Sequence, residues 1–222
     1  MTADAIPILG AALVMPFLLA AVTSFAKLAI VASAVRYALG TPKMPPNSVV
    51  VGVALVLSVH VMWPVVTRVE TEYARLAPAG AAGSVGGVEG LDAKVLAAAS
   101  VGPLADFLRA NAGEKDVAFF RAMRDKAGDG AKTAPLTGPV ADGFSVYAPA
   151  FVLTELTEAF VAAFLIFVPF FVIDLVVSST LLAAGAHMLS PTVVSLPLKL
   201  LVFVMMDGWR LIVQGLVVGY RY

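Results

Sequence analysis

The sequence predicts an all-α membrane protein in which four long hydrophobic, partly kinked helices form hairpins that flank a small helical insert. Sixty percent of the 222 residues are hydrophobic, whereas ordinary soluble domains use apolar residues at about half of their positions. Four apolar stretches approach or exceed the length of about 20 residues that a spanning helix needs. A polar insert lies between the second and third stretches. Together these observations predict an integral membrane protein.

The chain is predicted to divide into three parts. The first is an N-terminal hydrophobic helical hairpin, the second a polar, mostly helical periplasmic insert with a flexible loop, and the third a C-terminal hydrophobic helical hairpin. Their bounds are residues 1–66, 67–148 and 149–222. The insert holds nine of the fifteen basic and ten of the fifteen acidic residues, which is typical of a separate soluble module.

The N-terminal hairpin contains two apolar stretches, residues 6–35 and 49–66. Residues 1–5 contain one acid and no base, whereas a cleaved signal peptide begins with positive charge, so we expect the first helix to be retained. The link between the two stretches carries Arg36 and Lys43 and no acid. Because basic links favour the cytoplasmic side of a membrane, we expect the insert and both chain ends on the opposite side.

The insert is expected to begin with disorder and to continue as helix. Residues 78–90 form a glycine-rich run that cannot sustain a helix, and we expect a flexible loop there. Residues 91–99, 103–112 and 114–126 have helical patterns. The two phenylalanines of the last pattern indicate a small core or a neighbour contact rather than a ligand site.

The two apolar stretches of the C-terminal hairpin, residues 151–188 and 193–220, contain charged side chains that a lipid-facing helix normally excludes. Each is costly at the centre of the hydrocarbon layer unless it meets a protein partner or water. An isolated anchor has no use for such groups, so they indicate an assembly or a conduit. With one lysine of the first stretch included, the predicted intersubunit or intramembrane contacts are Lys27, Glu155, Asp174, Lys199, Asp207 and Arg210.

Some of these charges have a simpler, local interpretation. Glu155 and Glu158 are expected at a helix start, where the positive end of the helix dipole attracts acids, with Thr154 as the N-cap. Acid catalysis by the two glutamates is the less favoured alternative. Asp207 and Arg210 are three residues apart, so they share a helix face and either neutralise each other or contact another subunit.

Lys27 and Asp174 have no partner of opposite charge within one helical turn. Each must therefore find a partner on another helix, on another chain or in water. A small ion-coupled transporter that uses the two residues as its coupling pair is one interpretation. Transporters often have internal repeats and helices broken at matching positions. This chain has no convincing repeat and one proline break, at Pro169, where we expect the third helix to bend or break.

The chain contains no motif of a known catalytic or metal site, since HExxH, GxxxxGK[ST] and GxSxG are all absent. It has no cysteine, and its two histidines, His60 and His187, lie in different apolar stretches. The formal net charge is zero, so nothing indicates a nucleic-acid partner. We therefore expect neither an enzyme nor a cofactor or metal site.

Two blocks of sequence resemble the SctR family, the inner-membrane export-apparatus subunits of type III secretion that are homologous to the flagellar biosynthesis P protein. The first block, residues 23–66, contains LGTPKMPPN. The second, residues 154–209, contains PFFVIDLVVSS, LSP followed by SLPLK, and DGW in the family's order. Residues 113–120, GEKDVAFF, resemble the family's periplasmic helix. These matches cover about half of the chain directly and are specific to the family.

The resemblance implies a non-enzymatic, pore-forming core subunit of the export gate, which conducts unfolded proteins across the bacterial inner membrane into the needle or rod. Several copies, a pentamer in the family, would join SctS-like and SctT-like subunits and further export-apparatus and needle-base proteins. The bent hairpins would be drawn largely out of the bilayer toward the periplasm, with the intramembrane charges between subunits. The expected lack of a signal peptide favours an injectisome over a flagellum. A structural scaffold without a conduit is the remaining interpretation.

By position, the methionine-rich gasket of the family falls on the turn between the last two apolar stretches. The five residues at this position are Gly185, Ala186, His187, Met188 and Leu189. Flagellar relatives have a run of methionines here, whereas this chain has one methionine and an imidazole. Because methionine is flexible and polarizable, a ring of such side chains can seal a channel without a rigid fit. For one methionine, plain packing is the simpler interpretation.

Overall fold

The computed structural model describes residues 20–41, 43–77, 93–126, 139–186 and 188–222. These residues contain seven bounded helices and no strand, which confirms the predicted all-α class. The helices are α1 (Phe25–Ala38), α2 (Asn47–Leu76), α3 (Ala93–Asn111), α4 (Glu114–Lys126), α5 (Pro139–Ala183), α6 (Pro191–Met205) and α7 (Gly208–Val218). The predicted glycine-rich loop and the first part of the first apolar stretch lie outside the described residues.

Two helices of the described residues are long and apolar enough to cross a membrane. They are α2 and the Phe144–Ala183 part of α5. α6 and α7 pass the same test only as a pair, and they are bent by 59° at a short break. The structure therefore supports a membrane protein with two to three spans. The predicted count of four is not confirmed.

Helix α2 is longer than the apolar stretch that predicted it. It continues from the stretch into the polar insert and ends at Leu76, because the residues that follow the stretch include neither glycine nor proline before Pro78. Glu72 and Arg75 support its last turns with an exposed ion pair at 3.6 Å. The residue before a proline disfavours helical dihedrals, which accounts for the end of α2 next to Ala77.

The helices of the insert agree in part with the prediction. α4 has the predicted bounds, Glu114–Lys126. Residues 91–99 and 103–112 were predicted as two helices, but the structure has one, α3, which contains Pro103. A proline removes one backbone donor and disturbs one turn, and here the flanking alanines and leucines are strong helix formers that keep the helix continuous.

Helix α5 corrects two predictions about the third apolar stretch. It begins at Pro139 and runs to Ala183, so the expected helix start near Thr154 is wrong, and Glu155 and Glu158 lie inside the helix. The Thr154 hydroxyl instead lies 2.9 Å from the carbonyl oxygen of Ala150, the i−4 position beside which threonine hydroxyls lie within helices. The helix is also not broken at Pro169, since prolines are tolerated in membrane helices. The other expectation, a bend at this proline, stays a prediction.

The chain divides into two compact units, which interleave along the sequence. Unit 1 contains His60–Glu155 and Arg221–Tyr222, and unit 2 contains Ser24–Val59 and Leu156–Tyr220. α2 and α5 contribute residues to both units. The predicted three-part division into hairpin, insert and hairpin describes membrane placement and stays a prediction.

Unit 1 has its core between α4 and the first half of α5. Val117, Val146 and Ala150 are buried there, and Phe120 and Tyr147 pack against them. The end of the chain lies against α3, because the Asn111 amide exchanges two hydrogen bonds of 2.9 Å with the backbone of Arg221.

A buried hydroxyl links α4 to α5 within unit 1. Thr154 Oγ1 accepts a hydrogen bond of 2.9 Å from the Gly113 backbone N–H. The same hydroxyl lies 2.5 Å from Asp116 Oδ2, to which it donates. Position 113 is tightly packed, since an added Cβ would lie 3.0 Å from the Thr154 oxygen, which would have to shift by a few tenths of an ångström.

Replacement of Thr154 by valine is expected to lower the free energy of unfolding by about 1–3 kcal/mol, because it leaves the Gly113 N–H and the Asp116 carboxylate without this partner. Thermal unfolding of the full chain in one detergent measures the effect. The matched control is Thr154→Ser, which keeps the hydroxyl and removes the methyl group. An equal loss in both variants would assign the effect to packing and contradict the hydrogen-bonding role.

Unit 2 is organised around α1. The buried residues of α1 recur at spacings of three and four, as expected for a helix with one packed face; they include Lys27, Leu28, Val31, Val35 and Ala38. The early part of this face packs against Ala54, Ala159 and Leu216. The later part packs against Phe170 and Phe203. The buried residues of α1 are apolar apart from Lys27 and Arg36. These two charges therefore need partners.

The bend between α6 and α7 is made by two adjacent residues. Asp207 has left-handed dihedrals, with φ 51° and ψ 47°, a conformation that aspartate tolerates better than most residues. Gly208 then lies directly against the ring of Phe203, so that an added Cβ would overlap the ring. Phe203 also contacts Trp209, with ring centroids 5.5 Å apart. The bend is thus fixed by a packed aromatic pair.

Candidate functional site

The first of two intramembrane ion pairs joins α5 to α6. Lys199 Nζ lies 2.5 Å from Asp174 Oδ2 and donates a further hydrogen bond of 3.3 Å to the carbonyl of Ala38, at the end of α1. The lysine side chain is 6% exposed and the aspartate 40%. One ammonium group therefore holds three helices together.

The sequence spacing explains where this pair lies. Phe170 is four residues before Asp174 and Phe203 four residues after Lys199, so each aromatic ring shares a helix face with one charge. The two rings are in contact, with centroids 6.2 Å apart. The ion pair therefore lies one helical turn from the aromatic contact of unit 2, and the same packing positions both.

The second ion pair joins α1 to α5 within unit 2. Lys27 Nζ is hydrogen-bonded to Glu158 Oε2 and also lies 4.8 Å from the centroid of the Tyr220 ring, within the range of a cation–π contact. The lysine side chain is 7% exposed and the glutamate 55%. A cavity of about 540 Å³, lined mostly by apolar residues of α1, α5 and α7, opens beside this pair.

Both pairs have the same asymmetry of burial. The buried partner is a lysine on α1 or α6, and the half-exposed partner is a carboxylate on α5. A lysine reaches its partner through a long apolar stem, which packs well while only the ammonium needs compensation. Glu158 was assigned by sequence to a helix start, so its role as the partner of Lys27 was missed. The 131 residues between the two positions leave no local signal for the pairing.

The remaining predicted charges are placed differently. Glu155 is 3% exposed in unit 1. Asp207 and Arg210 lie 3.8 Å apart in an i,i+3 pair whose side chains are both largely exposed, a geometry that contributes little to stability. Lys27 and Asp174 are each bonded to a different residue, so the two are not the pair that the transporter interpretation requires.

The turn after α5 is closed by a glycine cap. Gly185 has φ +70°. Its N–H bonds the Leu182 carbonyl at 3.1 Å, and the Ala186 N–H bonds the Leu181 carbonyl at 2.9 Å. This is the Schellman arrangement of a helix end. The dihedrals and hydrogen bonds of Gly185 give it a capping role, which the pattern of a helix followed by glycine also predicts.

The predicted gate residues after this cap are at the surface of unit 2. Met188 is 98% exposed, and Leu189 is also exposed. His187 lies outside the described residues, so its orientation stays unassigned. An apolar side chain left almost entirely uncovered by its own chain needs lipid or another protein as a neighbour.

The described residues of the ion pairs are arranged as charge partners between helices. Among the described residues, no three histidine or carboxylate side chains gather as metal ligands. Both buried ammonium groups are bonded to carboxylates, which leaves them unavailable as nucleophiles or bases. The two ion pairs neutralise charge between the helices that they join.

Known proteins match nearly the whole length of this chain. A family model described as the FliP family matches residues 8–216. The chain is 40% identical over 207 residues to the pathogenicity-related ORF2 of Xanthomonas campestris pv. glycines, which covers 93% of this chain and 91% of that protein. It is 37% identical to the hypersensitivity response secretion protein HrcR of Ralstonia nicotianae, over 93% of this chain and 92% of the relative. It is also 37% identical to the flagellar biosynthetic protein FliP of Pectobacterium carotovorum, over 91% of this chain and 72% of that relative.

Proposed function

Since the chain belongs to the FliP family, we propose that it is a membrane subunit of a bacterial type III protein-export apparatus. Its relatives are named for hypersensitivity response secretion, for translocation of Yop proteins and for flagellar biosynthesis. Two of these names state secretion or translocation of proteins, which supports protein export as the function proposed for this chain. The chain acts together with other export-apparatus proteins.

Within that apparatus, we propose a pore-forming core subunit that assembles as a homopentamer with SctS-like and SctT-like proteins and conducts unfolded substrates. The observation that carries this proposal is the uncovered surface of α5. Only 11% of the most apolar 18-residue window of its membrane segment is buried within the chain. Lipid alone would satisfy the apolar side chains, but it would not satisfy the half-exposed Glu158 and Asp174. Neighbouring subunits supply polar contacts as well as apolar cover.

The three-part division follows from the same proposal. Residues 1–66 and 149–222 form the hydrophobic hairpins, and residues 67–148 form the insert on the periplasmic side. The assembly is displaced toward the periplasm, so that its hairpins leave the bilayer plane. Export through this subunit involves no catalytic step and no cofactor.

The assembly is tested by co-expression of the full chain with SctS-like and SctT-like partners, followed by gentle detergent extraction and mass measurement. The expected result is a complex with several copies of this chain. Monomeric chain as the only product would contradict the proposal. Substrate-dependent proton or sodium flux by the purified chain alone in liposomes would instead favour a transporter.

The gate is proposed at the turn of Gly185, Ala186, His187, Met188 and Leu189. Its support is the almost complete exposure of the Met188 side chain, which a ring of subunits would gather at one constriction. Met188→Ala combined with His187→Ala is expected to make cells that hold the complete apparatus leaky to small ions while the complex still assembles. The measurement is membrane permeability with and without partner expression.

A matched control for the gate is Met123→Ala, which removes an exposed methionine of α4 in unit 1. It is expected to leave permeability unchanged. Normal permeability and secretion in the turn variant would contradict the gate assignment. Labelling of a cysteine placed at position 188 reports water access there, and the absence of native cysteines makes the label specific.

A further inference from the structure

Arg36 is a buried cation for which the described part of the chain offers no carboxylate. The residue is 7% exposed. Its Nη1 donates a hydrogen bond of 3.2 Å to the carbonyl of Pro45, whereas its Nε is buried and has no hydrogen-bond partner. In contrast to the two buried lysines of unit 2, this guanidinium has no acid among the residues described.

Arginine keeps its positive charge in proteins even where it is buried. An uncompensated buried charge is strongly destabilising. The carbonyl groups at the end of α1 offset part of the charge, since Arg36 lies in the last turn of that helix. The unbonded Nε nevertheless points to an anion that the chain itself does not supply.

The arginine is held in a tight turn that carries a second cation. The Thr41 N–H bonds the Arg36 carbonyl at 3.2 Å, and Met44 N–H bonds the Thr41 carbonyl at 3.1 Å. Because Thr41 and Pro45 are both bonded to Arg36, Lys43 between them is kept on the same turn. Lys43 is exposed, so the turn itself carries two positive groups and no acid. The Asp174 carboxylate near the end of α1 is bonded to Lys199.

The exposed side chains of this turn are those typical of the membrane interface. Tyr37 and Met44 are both exposed, and the Tyr37 ring lies 5.3 Å from the guanidinium carbon of Arg36. Tyrosine is enriched at the headgroup level of membranes, and the turn directly precedes α2, one of the two helices long and apolar enough to cross a membrane. Basic pockets at helix ends on this level bind anionic lipid headgroups.

We propose that Arg36, with Lys43, binds the phosphate of an anionic phospholipid. Arginine presents a planar fork of donors that matches phosphate oxygens in pairs, and the free Nε–H is one of the two donors needed for that geometry. Because the Nε is buried, binding requires the turn to open. This inference concerns the chain in the membrane before assembly and does not rest on the proposed pore.

The test is native mass spectrometry of the full-length purified chain titrated with dioleoyl phosphatidylglycerol. The wild type is expected to retain the lipid, and Arg36→Gln to bind it about fivefold more weakly, the effect of one basic group near a headgroup. Arg75→Gln is the matched control, because it removes the same charge from an exposed position on α2. Equal retention in all three proteins would overturn the proposal.

A second readout separates a ligand site from a structural arginine. Without anionic lipid, Arg36→Gln is expected to unfold at a temperature equal to or above that of the wild type, because it removes an uncompensated charge. With phosphatidylglycerol, the order is expected to reverse. A lower unfolding temperature under both conditions, by the same amount, would overturn the proposal and assign Arg36 to the turn alone.

Two further arms identify the source of the anion. In the first, inorganic phosphate replaces the lipid. If phosphate raised the unfolding temperature of the wild type as much as the lipid does, the ligand would be free phosphate and the lipid assignment would be overturned. A partner carboxylate would replace the lipid as the ligand if co-expressed export partners stabilised the wild type but not Arg36→Gln and lipid had no effect. That result would overturn the lipid assignment. If Arg36→Gln does not fold, Lys43→Gln replaces it, with the same expected direction, and unchanged lipid retention then contradicts the site.

Discussion

Asp174→Asn is expected to lower the free energy of unfolding by about 3 kcal/mol, because it leaves the buried ammonium of Lys199 without its carboxylate. Breaking a buried ion pair by removing one partner typically costs about 3–5 kcal/mol. The lower end applies here, since Asp174 is 40% exposed and Lys199 keeps its hydrogen bond to Ala38. The measurement is thermal or denaturant unfolding of the full chain in one detergent, together with the amount of assembled export complex in cells.

The ion pair offers two controls. Asp207→Asn removes an acid from the exposed pair with Arg210 and is expected to cost less than about 1 kcal/mol. Asp174→Leu combined with Lys199→Met removes both charges and is expected to recover most of the stability lost in Asp174→Asn, because apolar replacements of a whole pair are often neutral. If Asp174→Asn were no more harmful than Asp207→Asn, the pair would not hold α5, α6 and α1 together.

Gly208→Ala is expected to be the second large effect, with a loss of about 1–3 kcal/mol, the usual range for overpacking a filled core. A methyl group at position 208 would overlap the ring of Phe203, and that ring is confined by its contacts with Phe170 and Trp209. The ring or the bend must therefore move. Unfolding of the full chain gives the stability, and a pair of spin labels on α6 and α7 gives the change in the 59° bend.

Gly215→Ala is the matched control on the same helix. An added Cβ at Gly215 meets nothing within 4 Å, and alanine is favoured over glycine in a helix interior by about 0.5–1 kcal/mol. This substitution is therefore expected to stabilise the isolated chain slightly. The two glycine variants should differ in sign. A loss of the same size in both would mean that contact with Phe203 does not decide the effect at position 208.

The sequence predicted features that depend on local pattern or on composition. Hydrophobicity alone predicted the membrane class, and α4 was predicted with its observed bounds because its residues follow a helical pattern. The LGTPKMPPN and DGW motifs led to the right family. These signals lie within short segments, so a single sequence contains all the information needed.

Features that depend on distant contacts were not predictable in the same way. Lys27 finds its acid on a helix 131 residues away, and no spacing rule selects Glu158 over another carboxylate. The position of Thr154 resembled a helix start because its side chain suits a cap, yet α5 continues through it and its hydroxyl is used by Gly113 and Asp116. The threonine hydroxyl can either cap a helix start or contact a neighbouring helix from a mid-helix position. Which of the two occurs depends on whether another segment packs beside it, as α4 does here.

The left-handed residue at Asp207 has a consequence for the sidedness of the chain. α6 has 15 residues and α7 has 11, which correspond to lengths of about 22 Å and about 16 Å. The hydrocarbon layer is about 30 Å thick, so neither helix crosses it alone. Straightened, the two helices together span about 39 Å and add one crossing. At the observed bend of 59°, α7 advances along the direction of α6 by about half of its length, so the pair spans about 30 Å, close to the thickness of the layer. The backbone angle of Asp207 thus sets how near the residues after Gly219 come to the opposite leaflet.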